Sequence, residues 1–167
     1  MKYFAYGSNL LSARLLARVV ATDLGMATLE GWALHWNSHS LDGSGKCNIE
    51  RSTNPSAVVY GVVYEMDEEA FGVLDGIEQG YDRIEVTLQH RNGPMKAWVY
   101  VYAEPAPEAP PYAWYRGLVV AGAIEHQFPQ GVIRELESVQ AISDPVEDRR
   151  GKLHAEELLK RAGYPSA

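Results

Sequence analysis

Ile84-Glu85-Val86-Thr87-Leu88-Gln89, then Asn92-Gly93, then Met95-Lys96-Ala97-Trp98-Val99-Tyr100-Val101, is the stretch that decides the fold. On the first side Ile84, Val86 and Leu88 alternate with Glu85, Thr87 and Gln89. On the second, Met95, Ala97, Val99 and Val101 form the apolar set. A period of two places one set of side chains on each face of a strand. Asn-Gly between two such runs is turn chemistry. The stretch therefore predicts an antiparallel hairpin with one buried face.

Working outward, Val58 to Tyr64 is rich in β-branched and aromatic residues and predicts a strand. Asp67, Glu68 and Glu69 follow it, and negative charge favours a helix N-terminus. Met66, Ala70, Leu74 and Ile77 then recur at helical spacing, and Gly80 closes the element. Residues 2–6 read as a short buried strand stopped by Gly7. Ser12 is a candidate cap for a helix over 13–20, with Leu15, Leu16 and Val19 as its apolar stripe. Trp32, Leu34 and Trp36 alternate as in a half-buried strand. Residues 37–56, rich in Ser, Gly and Asn, read as a long loop with a short strand near Cys47–Glu50.

Beyond the hairpin, Pro105 to Pro111 reads as a surface connection. Helices are expected over 113–125 and 130–140, the second with Pro129 near its first turn. Ala155, Leu158, Leu159 and Ala162, closed by Gly163, give a last helix. Helices lying between and after antiparallel strands make the class α+β, with residues 1–167 read as one domain.

The net charge of −7 argues against nucleic acid and against an anionic membrane as partner. No apolar run of about eighteen residues is present, so no membrane helix is expected. The N-terminus lacks the apolar core of a signal peptide. A single cysteine, Cys47, rules out an intrachain disulfide and fits a reducing compartment. Together these read as a cytoplasmic protein.

Two segments carry the chemistry. Tyr6-Gly7-Ser8-Asn9-Leu10 follows the first strand at a bend, where the N–H groups from Gly7 to Leu10 can form a nest for an anion or a developing oxyanion. Glu78 lies between an amphipathic helix and a glycine turn, beside Ile77 and Tyr81. Apolar and aromatic neighbours raise a carboxyl pKa, and a raised pKa suits a general acid–base. The plainer reading of Glu78 is a solvated carboxylate at a helix end, and of the turn a simple connection. Ser8 does not sit in a G-x-S-x-G context and has no histidine placed as its base. His35 and His39 lie in strand and loop rather than on a helix, which disfavours a metal site.

Tyr3-Phe4-Ala5-Tyr6-Gly7-Ser8-Asn9-Leu10-Leu11 resembles the N-terminal signature of the γ-glutamylcyclotransferase-like family. Val62-Val63-Tyr64, then Leu74-Asp75-x-x-Glu78, resembles the family's strand–helix–acid segment. Tyr115-Arg116, Gly122-Ala123 and the helix through Leu136 resemble its C-terminal part. The resemblance implies a small mixed β-barrel with flanking helices, and release of 5-oxoproline from a γ-glutamyl amide or dipeptide. It implies no metal and no cofactor. It implies that Glu78 is the acid–base, that Tyr6, Gly7, Ser8, Asn9 and Leu10 hold the substrate, and that Tyr115 helps bind the glutamyl group. Many relatives have Gly directly after the acid; here it is Gln79. Two other readings stand beside this one: a non-catalytic module that binds a glutamate-like metabolite, and a γ-glutamyl amide hydrolase. The amine leaving group stays open, as does the oligomeric state, with which a homodimer is compatible.

Overall fold

The alternating stretch at residues 81–102 is the longest ladder in the molecule. The computed structural model describes residues 1–164, the side chain of His39 excepted. In chain order its strands are β1 Lys2–Ala5, β2 Thr22–Glu30, β3 Trp32–His39, β4 Gly45–Arg51, β5 Val58–Glu65, β6 Tyr81–His90 and β7 Gly93–Tyr102. The helices are α1 Ser12–Leu16, α2 Glu68–Ile77, α3 Ala113–Glu125, α4 Gln130–Ser138 and α5 Arg150–Arg161.

The hairpin β6–β7 pairs from Tyr81↔Tyr102 to His90↔Gly93. Arg91 and Asn92 form its connection, and Gly93, at φ +99°, takes the left-handed conformation one position later than an Asn-Gly centre would. Val86, Leu88, Ala97 and Val99 are buried, as their alternation requires. Five strands close into a barrel in the order β1-β5-β2-β6-β7. The parallel contact Tyr3↔Trp98 between β1 and β7 makes the closure. Gly61 of β5 leaves room for the Phe4 ring, since a Cβ there would stand 2.4 Å from it.

One strand is missing from the sequence reading, and three expectations need correction. Residues 22–30 form a strand, β2, between β5 and β6. Only Ala27 and Leu29 of it are buried, and Gly25 makes a bulge after Asp23, so its alternation is weak. The stretch 37–56 is mostly ordered: β3 runs to His39 and pairs with a full-length β4 as a separate two-stranded sheet. The first helix stops at Leu16 rather than near residue 20. Its last turn tightens through Arg18 N–H to Leu15 C=O, and Val19 drops into the core while Leu16 faces solvent. Ser12 is its first residue and not its cap; the Ser12 hydroxyl is directed elsewhere.

The acidic helix start holds as expected: the Asp67 side chain accepts from Ala70 N–H at 2.8 Å. Helix α3 runs through the interior of the helical layer, its residues Leu118 to Ala123 all buried. Gly122 is what lets α3 reach the N-terminal turn. A Cβ there would lie 2.4 Å from Leu10 C and Leu11 N. Helices α4 and α5 cover the other sides of α3. Among the described residues, no helix is long and apolar enough to cross a membrane.

Candidate active site

Ser8–Leu10 form a single 3₁₀ turn directly after β1. Leu10 N–H closes it onto Gly7 C=O at 2.9 Å, so the amides left for a ligand are those of Gly7, Ser8 and Asn9. Gly7 is held between β4 and α3: a Cβ on it would stand 3.2 Å from Cys47 Cβ and from Tyr115 Oη. The turn thus floors a small cavity of about 40 Å³, open on one side. Its lining includes Tyr3, Tyr6, Cys47, Glu78, Tyr81, Tyr100 and Tyr115.

Glu78 reaches this cavity because α2 ends at it. Its N–H still bonds Leu74 C=O at 2.8 Å, but its φ and ψ, −87° and 46°, leave the helix. Gly80, at φ +85°, then turns the chain into β6. The side chain points back at the N-terminal turn. Asn9 Nδ2 donates to Glu78 Oε1 at 3.4 Å and to Tyr3 Oη at 3.1 Å. Arg18 Nη1 lies 3.4 Å from the same Oε1 and 3.1 Å from Asn9 Oδ1.

Burial raises the Glu78 pKa above the ordinary carboxyl value; Arg18, Arg14 and the Asn9 amide pull against it, and burial prevails. The walls are proton-holding. Burial drives the hydroxyls of Tyr3, Tyr6, Tyr81, Tyr100 and Tyr115 upward, so all stay neutral. It pushes the Cys47 thiol up to about 12, which makes it a poor nucleophile. Tyr6 donates to Tyr100 C=O at 2.6 Å, Tyr100 to Asp75 Oδ1 at 2.7 Å, and Tyr81 to Cys47 C=O at 3.0 Å. Tyr115 Oη accepts from Cys47 N–H at 3.2 Å. Tyr3 Oη accepts from Asn9, which leaves its own proton for a ligand.

The cavity mouth widens into a cleft lined by Arg14, Arg18, Lys46, Trp114 and Tyr115. Arg14 is buried; its Nε donates to Ser8 Oγ at 3.1 Å. Burial and the neighbouring Arg18 lower its pKa to about 10, still far above neutrality. Lys46 is paired with Asp42 at 2.9 Å beneath the Tyr112, Trp114 and Tyr115 rings. A small cavity with amide donors, neutral hydroxyls, one desolvated carboxylate and cations at its mouth can bind a carboxylate-bearing molecule and shuttle a proton inside it.

The family described as Gamma-glutamyl cyclotransferase, AIG2-like matches residues 3–117. This chain belongs to that family. The γ-glutamylcyclotransferase of Mus musculus is 29% identical over 163 residues, covering 87% of this chain and 85% of its own length. That of Bos taurus is 28% identical over 169 residues, covering 95% and 87%. A solved structure named Gamma-glutamyl cyclotransferase superposes with a TM-score of 0.84 at 27% identity, over 96% of this chain and 98% of that one. The α+β class and the small barrel with flanking helices agree with this member of the γ-glutamyl cyclotransferase family.

Of the residues singled out in the sequence, Tyr6, Gly7, Ser8, Asn9, Glu78 and Tyr115 meet around the one cavity. Leu10 does not line it: its amide closes the turn and its side chain faces an apolar pocket beside α4. Sequence reasoning placed Tyr81 beside the acid but overlooked Tyr3, Arg14, Arg18 and Tyr100. Arg14 and Arg18 had a legible signal, a pair of cations four residues apart just after the turn. Tyr100 had none, being one of several tyrosines in an alternating strand.

Proposed function

We propose that this chain is a γ-glutamyl cyclotransferase that releases 5-oxoproline from a γ-glutamyl amide or dipeptide, with Glu78 as the general acid–base. Family membership and relatives bearing that name support the activity. The observation that carries the site assignment is the link from Asn9 Nδ2 to Glu78 Oε1, which holds the acid against the ligand turn at the cavity wall.

The substrate's α-amine attacks its own γ-carbonyl carbon and a lactam C–N bond forms. Tethering supplies the proximity, an effect that can reach about 10⁵–10⁸ M in effective concentration. Glu78 takes the proton that the attacking nitrogen loses. It then gives that proton to the leaving nitrogen as the amide C–N bond breaks, so one carboxyl serves both steps. Desolvation strengthens it as a base, and Arg18 steadies its charged form. The Gly7, Ser8 and Asn9 amides receive either the substrate carboxylate or the oxyanion; Tyr115 and Tyr3 wall the glutamyl chain. A cytoplasmic setting belongs to the same reading, supported by the buried Cys47 thiol.

Incubation of purified protein with γ-glutamyl-alanine, followed by product identification, tests this. 5-Oxoproline plus alanine is the expected outcome. Free glutamate would favour hydrolysis by water, and saturable binding with no product would favour the binding module.

A further inference from the structure

Behind the ligand turn, on the side away from the cavity, His126 ends α3 with both ring nitrogens engaged. Nδ1 lies 2.9 Å from Gly122 C=O and Nε2 lies 2.9 Å from Asp23 Oδ2. Both partners are acceptors only, so each nitrogen must donate. A neutral imidazole carries one N–H and would set a bare lone pair against an oxygen at one side or the other. The arrangement is complete only for the imidazolium. A cation at a helix C-terminus is also favoured by the helix dipole.

The donor sequence continues to the turn. His126 Nε2 also lies 3.4 Å from Ser12 Oγ, and Ser12 Oγ lies 3.2 Å from Tyr64 Oη. Tyr64 donates to Leu10 C=O at 3.1 Å, so it accepts from Ser12, which in turn accepts from the ring. Ser12 N–H is held by Glu125 Oε2 at 2.9 Å, and that carboxylate also lies 3.8 Å from His126 Nδ1. The Tyr64 ring meets the imidazole edge-on. Gly122, whose carbonyl the ring grips, is where α3 abuts the Leu10–Leu11 backbone. The ring thus sits where β2, β5, α1 and α3 converge on the turn. The titratable and charged groups facing it are Asp23, Glu125 and Tyr64, with His90 and Arg91 across the shared cleft.

We propose that His126, as an imidazolium, is a positioning residue that clamps the ligand turn from behind through Ser12, Tyr64 and Gly122. It touches no substrate. A ring able to donate from one nitrogen only would leave one side of the clamp unfastened, and the turn's grip on the ligand would weaken. The kinetic part of this inference rests on the cyclotransferase reading; its structural part does not.

Two measurements test it. In the unaltered protein, an NMR titration follows the His126 ring nitrogens together with the Ser8, Asn9 and Leu10 amides. The turn amides should shift with the ring's own midpoint. A ring that titrates while those amides stay still overturns the clamp. In His126→Gln and Asp23→Asn, KM for γ-glutamyl-alanine should rise about 5- to 10-fold with kcat less affected, the scale of one weakened charge-assisted hydrogen bond. The double variant should lose less than the two single losses combined. A lowered melting temperature with unchanged KM would reduce His126 to a structural residue. Should a variant fail to fold, the titration decides. Should no 5-oxoproline form at all, the proposed activity falls while the titration still tests the clamp.

Discussion

Arg18 Nη1 stands 3.4 Å from Glu78 Oε1, and the two side chains share the rim of the cavity with about a fifth of each exposed. An acid that must both accept and return a proton is here set between two opposed influences. Burial favours its neutral form and the guanidinium favours its charged form. The balance between them is open to measurement.

Removing Arg18 removes the larger of the two guanidinium influences that lower the Glu78 pKa. In Arg18→Gln the acid limb of the kcat/KM profile should move to higher pH, because the base form is lost earlier as pH falls. The variant should also bind substrate less tightly. An unmoved acid limb would mean that Glu78 is not the titrating base.

Glu78 should weaken the fold that it serves. Its folded pKa lies above the unfolded one, so between the two values the native state binds the more protons and stability falls as pH rises. The charged form of the carboxyl is therefore a burden on the fold, relieved on acidification. Glu78→Gln should melt higher than the unaltered protein at pH 7, with the gap narrowing toward pH 4. Thermal scans across that range check it; a variant that melts lower at pH 7 would contradict it.

Gly122→Ala should be among the costliest single methyl additions in this chain. The new Cβ would stand 2.4 Å from backbone atoms of Leu10 and Leu11, which cannot swing aside as a side-chain end can. Overpacking of this sort costs on the order of 1–3 kcal/mol. Because α3 would be pushed off the ligand turn, product binding should weaken alongside the melting temperature. Gly72→Ala, which meets open space on α2, is the control and should be neutral or mildly stabilising.

Asp144 is expected to set part of the acid stability. Its own burial would raise its pKa, but Arg149 at 2.6 Å, the Val146 N–H and the Trp114 Nε1–H together hold it down to about 2. A folded pKa below the unfolded one gives stability that is complete above about pH 4 and lost as pH falls toward 2. Acid unfolding of Asp144→Asn should lack that component, and the variant should be less stable than the unaltered protein at pH 7. Identical acid profiles for the two would contradict the role.

The barrel was legible where the physics is local. The two-residue period of β6 and β7, the β-branched run of β5 and the acidic opening of α2 each write their structure into neighbouring residues. Strand β2 was not, because it presents two buried side chains and is bulged at Gly25. The extent of β4 was hidden for a related reason: Gly45 is there to let Ala109 C=O come close, a contact made over sixty positions away. The site divides in the same way. The turn and the acid could be named from their own residue types. That Asn9 would bridge Tyr3 to Glu78 follows from barrel closure and from the angle at which α2 ends, neither of which is local. Ser12 is the instructive case. A serine ahead of a helix reads as a cap, yet its hydroxyl joins Tyr64 and His126 instead.

The most direct test of the central claim is turnover by Glu78→Gln, with binding of 5-oxoproline measured in parallel. The change keeps size and removes the titrating group. Release of 5-oxoproline from γ-glutamyl-alanine should fall by about 10²–10⁴ while product affinity stays within a few-fold. Near-full activity in that variant would contradict the assignment of Glu78 as the acid–base.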